Sequence, residues 1–334
     1  MKTESFKGSG LLPVLREKKI VLGIMLTLLL TICMLTSAFC ASLAKADGTI
    51  YNADIPIYIR SDGTVDPPTA PIQRDGDVYT FTGNISGTLT QSETIVVERS
   101  NIVIDGKGYT LRGAGAVVGF DIQGNNITLK NTIISGFDVL GGGFAAAIYS
   151  FGTSNNIITN NTIINNKWGI NLGGVTGWTI DGNNIANNSQ AGIYGVSQSV
   201  ISNNLIKNNE KAIILVGSSN NRIYHNNFIN NTSPGFGDVD NNSGDNGYPS
   251  GGNYWSDYTG VDEKSGPNQD EPGSDGIGDT PYYGMVLDRY PFMEPFGEVP
   301  TEVPFDERNW SFIAGIVVII VVISIGIAVY VRRR

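Results

Sequence analysis

A short phrase written four times constrains this chain more than any other feature of its sequence. The copies start at Ile157, Thr179, Val200 and Arg222 and read IITNNTIINN, TIDGNNIANN, VISNNLIKNN and RIYHNNFINN. They recur every 21 or 22 residues. Self-similarity at a fixed period of this length predicts stacked structural units, each too small to bury its own apolar face.

Two apolar columns run through the copies, five residues apart. The first holds Ile158, Ile180, Ile201 and Ile223, and the second holds Ile163, Ile185, Ile206 and Phe228. A straight strand would point residues five apart to opposite faces. A bend between the columns would turn both inward, and an asparagine column lies in that gap: Asn161, Asn183, Asn204 and Asn226. Asparagine suits a bend because it tolerates left-handed backbone angles and bonds its own neighbouring backbone.

A second asparagine column and a third apolar strand complete each copy. The column holds Asn165, Asn187, Asn208 and Asn230, and the strands are centred on Ile170, Ile193 and Ile213. Three short strands and their corners per turn predict an all-β fold, a single-stranded parallel β-helix. Successive coils would stack about 4.8 Å apart, so equivalent asparagine side chains would form amide ladders.

Composition narrows the range of partners and compartments. The chain has 334 residues and a formal net charge of −9, long enough for one large core with attachments. An acidic chain with a pI near 4.7 is a poor nucleic-acid binder, because phosphate contacts need clustered Lys and Arg. Both cysteines, Cys33 and Cys40, lie near the N-terminus, so the rest of the chain has no disulfide framework and no thiolate metal site.

Both ends of the chain predict export and attachment to a membrane. Residues 1–46 combine basic residues, an apolar run and a small-residue cleavage pattern, which predicts a signal peptide or, if uncleaved, an anchor. Residues 298–310 form an acidic stalk, and residues 311–331 predict one C-terminal transmembrane helix. The basic residues 332–334 then form a cytoplasmic tail. The predicted location is the cell membrane, single-pass, with the main domain extracellular.

Three segments divide the extracellular part. Residues 47–100 are predicted to be an N-terminal lead-in that caps the first coil, since an open coil end presents unpaired backbone groups. Residues 101–232 are predicted to be the β-helix itself. Residues 233–297 lose the periodicity and are rich in Gly, Asp, Pro and aromatic residues, which predicts an acidic, aromatic C-terminal cap.

Several motifs outside the repeats carry a family resemblance. They are IYIRSDGTVDPP with VYTFTGNI, NIVIDGKGYTLRG, and the tail segments GGNYWSDY, GIGDTPY and RYPFMEPF. With the repeats, these resemble the right-handed β-helix family of NosD-like, carbohydrate-binding and sugar-hydrolase repeat proteins, of the archaeal surface type, over roughly residues 50–297. The resemblance implies right-handed coils and a surface location. Its name-giving branch is similar to periplasmic accessory proteins for copper delivery to nitrous-oxide reductase.

The sequence offers candidate ligands for two metals, copper and calcium. Copper selects soft or imidazole ligands, and beyond the N-terminal region the chain offers one histidine, His225, and two methionines, Met285 and Met293. His225 stands where other copies have an asparagine beside the corner column, which favours a structural role. Calcium is the one cofactor that the sequence suggests. Asp270, Asp275 and Asp279 alternate with glycines in the manner of a cation-binding loop, and a solvated acidic turn is the alternative.

Catalysis is the second functional hypothesis and metal delivery is the third. β-Helix lyases and hydrolases use clustered carboxylates and basic residues. The four copies supply one carboxylate, Asp181. If the protein is an enzyme, its active site is expected on the outer face near the insertion at Gly141, where 30 residues separate Asn131 from Asn161. The absence of an acid pair makes a non-enzymatic protein the first hypothesis.

Binding of carbohydrate or other cell-envelope components is that first hypothesis. Tyr254, Trp255 and Tyr258 would stack on sugar rings or close the last coil, and Trp168 or Tyr194 would stack along the coils. Eight asparagines begin an N-x-Ser/Thr motif for N-glycosylation. Asn84, Asn241 and Asn309 are the better glycosylation candidates, because the repeat asparagines are expected at tight corners.

Overall fold

The computed structural model describes residues 50–88, 93–138, 145–237 and 241–297. The predicted signal peptide, the stalk, the transmembrane segment, the cytoplasmic tail and the tip of the Gly141 insertion lie outside these residues. Within them the regular structure consists of β-strands. None of the described residues forms a helix with the length and apolarity needed to cross a bilayer.

Thirty strands follow one another along the described chain, and most have three to five residues. The N-terminal strands are β1 (Tyr51–Ala53), β2 (Ile57–Ile59), β3 (Val65–Asp66), β4 (Ile72–Asp75), β5 (Val78–Phe81), β6 (Ile85–Gly87) and β7 (Glu93–Val97). The next are β8 (Ile102–Asp105), β9 (Thr110–Gly113), β10 (Val118–Ile122), β11 (Ile127–Lys130), β12 (Ile133–Ser135), β13 (Ala146–Phe151), β14 (Ile157–Thr159), β15 (Thr162–Ile164), β16 (Trp168–Thr176), β17 (Thr179–Asp181), β18 (Asn184–Ala186) and β19 (Ala191–Ser197). The last are β20 (Val200–Ser202), β21 (Leu205–Lys207), β22 (Lys211–Leu215), β23 (Arg222–Tyr224), β24 (Asn227–Ile229), β25 (Ser233–Gly237), β26 (Tyr254–Trp255), β27 (Lys264–Ser265), β28 (Glu271–Pro272), β29 (Tyr282–Tyr283) and β30 (Leu287–Asp288).

Three long sheets run the length of the molecule, because each coil contributes one strand to each sheet. Sheet A has the order β1-β6-β9-β12-β15-β18-β21-β24-β26. Sheet B has the order β25-β22-β19-β16-β13-β10-β7-β2-β3, and sheet C has the order β23-β20-β17-β14-β11-β8-β5-β4. The pairing from coil to coil is parallel throughout the repeats, for example β14 with β17 and β15 with β18. The result is a parallel β-solenoid of about seven turns.

The solenoid extends beyond the predicted limits at both ends. Strands β1, β2 and β5 already pair in parallel with β6, β7 and β8, so the region 47–100 supplies strands to all three sheets. At the other end β26, from the predicted cap, pairs in parallel with β24. These strands follow the pattern of the coils without the repeated phrase, which is why the sequence alone marked them as flanking segments.

The core is a set of stacked apolar columns that share one interior. Ile158 on sheet C and Ile163 on sheet A are both completely buried, although five residues separate them. The third column comes from sheet B and includes Ile148, Ile170 and Ile193. Fully burying an isoleucine is worth about 1.5–3 kcal/mol, so the stacked columns supply much of the folding free energy.

A ladder of asparagine side chains fills the first corner. The Oδ1 atom of Asn183 accepts hydrogen bonds from the backbone N and from Nδ2 of Asn161, at 2.9 and 3.2 Å. Asn183 makes the same two bonds to Asn204, Asn204 to Asn226, and Asn226 to Asn253. The ladder therefore has a direction, with every donor on the N-terminal side of its acceptor.

The sharp turn and the ladder fall on consecutive residues. The residues with left-handed backbone angles are Asn160, Asn203 and His225, each immediately before a ladder asparagine. At the second corner Asn165 is left-handed and the next residue, Asn166, bonds to Asn188. The sequence predicted both roles for a single asparagine, but one residue cannot turn outward at the corner and also point inward to the ladder.

Different structures close the two ends. At the N-terminal end β3 and β4 are antiparallel edge strands, and Pro67 after β3 has no backbone donor for a further strand. At the C-terminal end Trp255 stacks between Phe228 and Tyr282, with ring centroids 4.1 and 4.3 Å apart. Trp255 Nε1 donates to the buried carboxylate of Asp288 at 2.9 Å.

Candidate functional site

The outer face of sheet B carries a column of side chains that we call the aromatic column: Tyr149, Asn171, Tyr194, Ile214 and Phe236. These five residues are register partners on the successive strands β13, β16, β19, β22 and β25. Their neighbours Ile148, Ile170, Ile193 and Ile213 point into the core, so the column points outward.

Aromatic rings occupy every second position of this column. Tyr149 and Tyr194 are half-buried, and Phe236 is 48% exposed. The intervening Asn171 and Ile214 are buried between them. Since neighbouring strands lie about 4.8 Å apart, successive aromatic residues are spaced by about 9.6 Å. The column is therefore a periodic aromatic surface that runs parallel to the solenoid axis.

Two further aromatic side chains border the column. The ring of Trp168 meets the ring of Tyr194 edge-on, with centroids 5.3 Å apart and planes at 70°. Trp168 Nε1 is shielded from solvent and has no hydrogen-bond partner among the described residues. Phe151 is 73% exposed, and its ring lies over Gly173, where an added Cβ would come within 2.8 Å of Phe151 Cδ2. A side chain at position 173 would displace that ring.

An acidic residue stands at the N-terminal end of the column. Asp121 on β10 is the register partner of Tyr149. Burial raises the pKa of Asp121, a hydrogen bond from Gln123 opposes that rise, and the nearby charge of Glu93 adds to it. The face thus combines aromatic rings with a carboxyl group that is protonated more easily than usual.

The three aromatic residues predicted to bind carbohydrate separate in the structure. Trp255 is 1% exposed in the core, so neither of its faces reaches solvent. The hydroxyl of Tyr258 donates to the carbonyl of Thr280 at 2.6 Å. Tyr254 is half-exposed and points outward on sheet A as the register partner of Asn227. The prediction about these residues remains a prediction.

In the predicted calcium loop, two of the three carboxylates accept hydrogen bonds from backbone N–H groups. Asp279 accepts from the backbone N of Glu263 and Lys264, and Asp275 accepts from that of Ile277. Asp270 is exposed. No three His, Cys, Asp or Glu side chains converge into a metal-holding group anywhere in the part of the chain that the structure describes. Calcium remains a prediction, and a melting curve with and without chelator tests it.

The candidate copper ligands, one histidine and two methionines, lie in the C-terminal part of the described chain. His225 is a left-handed corner residue, and its ring stacks on Phe296 with centroids 3.9 Å apart. Its Nε2 atom is 2.7 Å from the carbonyl oxygen of Ser250. Met285 is 1% exposed in the core, whereas Met293 is half-buried. These side chains serve packing and corner geometry, and the histidine has one ring nitrogen already engaged.

The predicted glycosylation sites differ in their surroundings. Asn241 is exposed, and Asn84 is half-buried with its Oδ1 accepting from Thr110 N at 2.9 Å. Asn309 lies outside the described residues. Of the repeat sequons, the corner residues Asn160 and Asn187 are exposed. Glycosylation at all of these positions remains a prediction.

Comparison with known proteins gives one match. A family model described as "Periplasmic copper-binding protein (NosD)" matches residues 76–260, more than half of the chain. No curated protein and no solved structure matches the chain. The matched residues run from the start of β5 to just beyond β26, and they include the whole aromatic column.

Proposed function

Because this chain belongs to the NosD family of periplasmic copper-binding proteins, we propose that it works outside the cytoplasm, where it binds an extended glycan along the aromatic column without cleaving it. The C-terminal segment 311–331 would tether the solenoid to the membrane. The observation that carries the proposal is the recurrence of an aromatic side chain on every second coil of one outer face.

The spacing of the column suits a polymer with its own repeat. A glycan lying parallel to the solenoid axis would meet Tyr149, Tyr194 and Phe236 at steps of about 9.6 Å. That step is close to the length of a disaccharide in an extended chain. Tyrosine, tryptophan and phenylalanine rings offer a large apolar surface for the C–H face of a sugar, and the tyrosine hydroxyls add hydrogen bonds.

The charge of the face favours a neutral glycan. The five residues of the aromatic column carry no formal charge. Asp121 at one end would repel an acidic polymer when it is ionised. A neutral polysaccharide pays no such penalty, so neutral envelope glycans are the expected ligands.

Binding to immobilised neutral and acidic polysaccharides tests this proposal. Replacing the central aromatic residue by Tyr194→Ala should weaken binding of a neutral glycan about two- to tenfold, since one aromatic contact is worth about 0.5–1.5 kcal/mol. Tyr283→Ala is the matched control, because Tyr283 is 76% exposed in the C-terminal cap. Equal affinity of the two variants would contradict the proposal.

The same assay addresses the enzymatic alternative. Asp121 and Glu93 belong to the same sheet, which keeps a carboxylate-based hydrolase or lyase as the second candidate. Release of soluble sugar from a polysaccharide by the purified protein, lost in Asp121→Asn, would replace the binding proposal with the enzymatic one.

Copper delivery follows from the family description, but the described residues do not fit a copper site. Copper would need several soft or imidazole ligands together. The single histidine stacks on Phe296 and bonds to Ser250, and one of the two methionines is in the core. Titration with Cu(I) against a chromophoric chelator is expected to show no tight site formed by these residues.

Membrane tethering is the remaining part of the proposal. The full chain is expected in the membrane fraction, and a chain that ends at residue 310 is expected in the soluble fraction after export. Retention of the shortened chain in the membrane would instead assign the anchor to residues 1–46.

A further inference from the structure

A small pocket opens on sheet A, on a different face from the aromatic column. Its floor is formed by Asn184, Leu205 and Asn227, which are register partners on β18, β21 and β24. The corner residues Gly182 and Asn203 and the C-terminal Phe296 and Gly297 complete its lining, together with Asn183. The cavity volume is about 260 Å³.

One corner of the pocket carries no side chain. Gly182 occupies the left-handed corner position at which neighbouring coils have Asn160, Asn203 and His225. Its φ is +66°, so the corner keeps its shape while losing the side chain. Across the gap, Asn227 fixes the wall: its Nδ2 donates to the Phe296 carbonyl at 2.9 Å, and its Oδ1 accepts from Phe296 N at 2.7 Å.

One amide of the pocket has a buried oxygen atom without a hydrogen-bond partner. Asn183 belongs to the buried ladder, Asn203 donates to Asp181 at 2.7 Å, and Asn227 holds Phe296. The Oδ1 atom of Asn184 is shielded from solvent and accepts no hydrogen bond from any described residue. An unsatisfied buried acceptor costs about 1–3 kcal/mol, so a donor supplied by a ligand would be favoured.

The lining defines the chemistry of that ligand. No charged side chain lines the pocket, and it offers an amide acceptor, an aliphatic Leu205 and the aromatic Phe296. Because the terminal torsion of an asparagine is soft, the Asn184 amide can turn its oxygen toward the cavity. A volume of about 260 Å³ exceeds the share of a few water molecules, about 30 Å³ each, and lies just below the usual range for small-ligand sites.

We propose that this pocket binds a single neutral pyranose ring, with a hydroxyl of the sugar donating to Asn184 Oδ1 and its C–H face against Leu205 and Phe296. The site is independent of the aromatic column, because none of its residues belongs to sheet B. It would select a ring that carries both hydroxyl groups and an apolar face over an open-chain polyol or a charged sugar.

Melting of the full chain in detergent, with added glucose, galactose or N-acetylglucosamine, tests the proposal. At least one pyranose should raise the melting temperature, and glycerol at the same concentration should not.

Three variants test the site and its independence from the aromatic column. Asn184→Leu should weaken sugar binding about tenfold, equivalent to about 1.4 kcal/mol, whereas Thr162→Leu in the same column one coil earlier should not. Tyr194→Ala should leave the monosaccharide shift intact even if it abolishes binding of the polymer. Absence of a shift with every pyranose, or persistence of the full shift in Asn184→Leu, would overturn the proposal.

Discussion

At the residue scale, the molecule depends on asparagine side chains that act as both donors and acceptors. Asn183 is 2% exposed, and its amide group has partners on both sides. Its Oδ1 accepts two hydrogen bonds from Asn161, and its Nδ2 donates to Asn204 and to the Ile158 carbonyl. No other uncharged side chain of this size offers two donors and an acceptor in this arrangement.

Removing one member of the ladder should therefore cost more than an average mutation. Asn183→Leu would leave the buried backbone N of Asn161 without its acceptor and would remove the Nδ2 bonds to the Ile158 carbonyl and to Asn204. We expect the free energy of unfolding to fall by about 2–5 kcal/mol. Chemical denaturation measures this change. Asn203→Gly is the control, because the exposed, left-handed Asn203 neighbours the ladder without joining it. Equal losses for the two variants would contradict this role of the ladder.

The ladder ends at a carboxylate. Asp288 is completely buried, and one of its oxygens, Oδ2, accepts from Asn253 N and from Trp255 Nε1. The other oxygen accepts from Tyr290 N at 3.1 Å. Burial raises the pKa of Asp288 from 3.8 to about 7, because the loss of solvation outweighs these donated bonds. The ladder of uncharged asparagine amides therefore ends at an ionisable group.

Asp288 should make stability depend on pH. Because its folded pKa is raised, its stabilising effect is fully present below pH 3.8 and is lost as the pH rises through about 7. We expect the free energy of unfolding to fall between pH 5 and pH 8, and Asp288→Asn to reduce that dependence. Denaturation curves at the two pH values measure it. An unchanged slope in Asp288→Asn, compared with the exposed control Asp270→Asn, would show that other groups are responsible.

At the scale of elements, short strands rely on their neighbours. Strand β26 has two residues, yet it ends sheet A and carries Trp255 into the core. The indole stacks on Phe228 from the last complete repeat and on Tyr282 from the cap. This three-ring stack joins the cap to the coils.

Truncation of the central ring should loosen the cap. We expect Trp255→Ala to lower the free energy of unfolding by about 3–5 kcal/mol, the usual range for a buried aromatic residue. The exposed Tyr283→Ala, one residue beyond Tyr282, should change it by less than about 0.5 kcal/mol. Thermal and chemical denaturation compare the two variants. A small effect of Trp255→Ala would mean that the cap is held mainly by its other contacts.

The sequence predicted the elements that repeat and missed those that do not. The isoleucine columns and the laddering asparagines recur at a fixed period, so their shared interior could be inferred from spacing alone. A ladder at the third corner, where Ser199 bonds to Asn221 and Asn221 to Asn242, was missed because Trp178 and Ser199 interrupt the asparagine pattern. Its signal is weaker because two of its positions hold other residue types.

The candidate sites depend on information that the repeat does not contain. Tyr194 was identified from the sequence, but Tyr149 and Phe236 were not, because the aromatic period is two coils and emerges only from the strand register. The pocket at Asn184 joins a coil to Phe296, more than a hundred residues later in the chain. A contact at such a distance follows from how the tail folds back, which no local pattern encodes.

At the scale of the whole molecule, the aromatic column gives the proposed glycan-binding surface a defined length. The aromatic column runs from Tyr149 to Phe236 over four coil steps, about 19 Å at the usual strand spacing. A longer polymer bound along the column would make more contacts, until its length exceeds that of the column.

Affinity should therefore increase with the length of the glycan and then level off. We expect successive oligosaccharides of one neutral series to bind more tightly until they span the column, and longer ones to gain little. Calorimetric titration of the size series measures this dependence. Phe236→Ala should move the plateau to shorter oligosaccharides, because it removes the last aromatic position. A length-independent affinity would restrict binding to one local site.

The polarity of the asparagine row bears on how such a molecule changes its size. If one turn were duplicated within the row, its asparagine would accept from the asparagine of the turn before it and donate to that of the turn after it. Both neighbours would therefore keep a hydrogen-bond partner. A turn appended after Asp288 would meet a carboxyl group that already accepts from Asn253, Trp255 and Tyr290 and does not continue the amide row. A turn inserted within the row is thus expected to destabilise the solenoid less than a turn added at its C-terminal end.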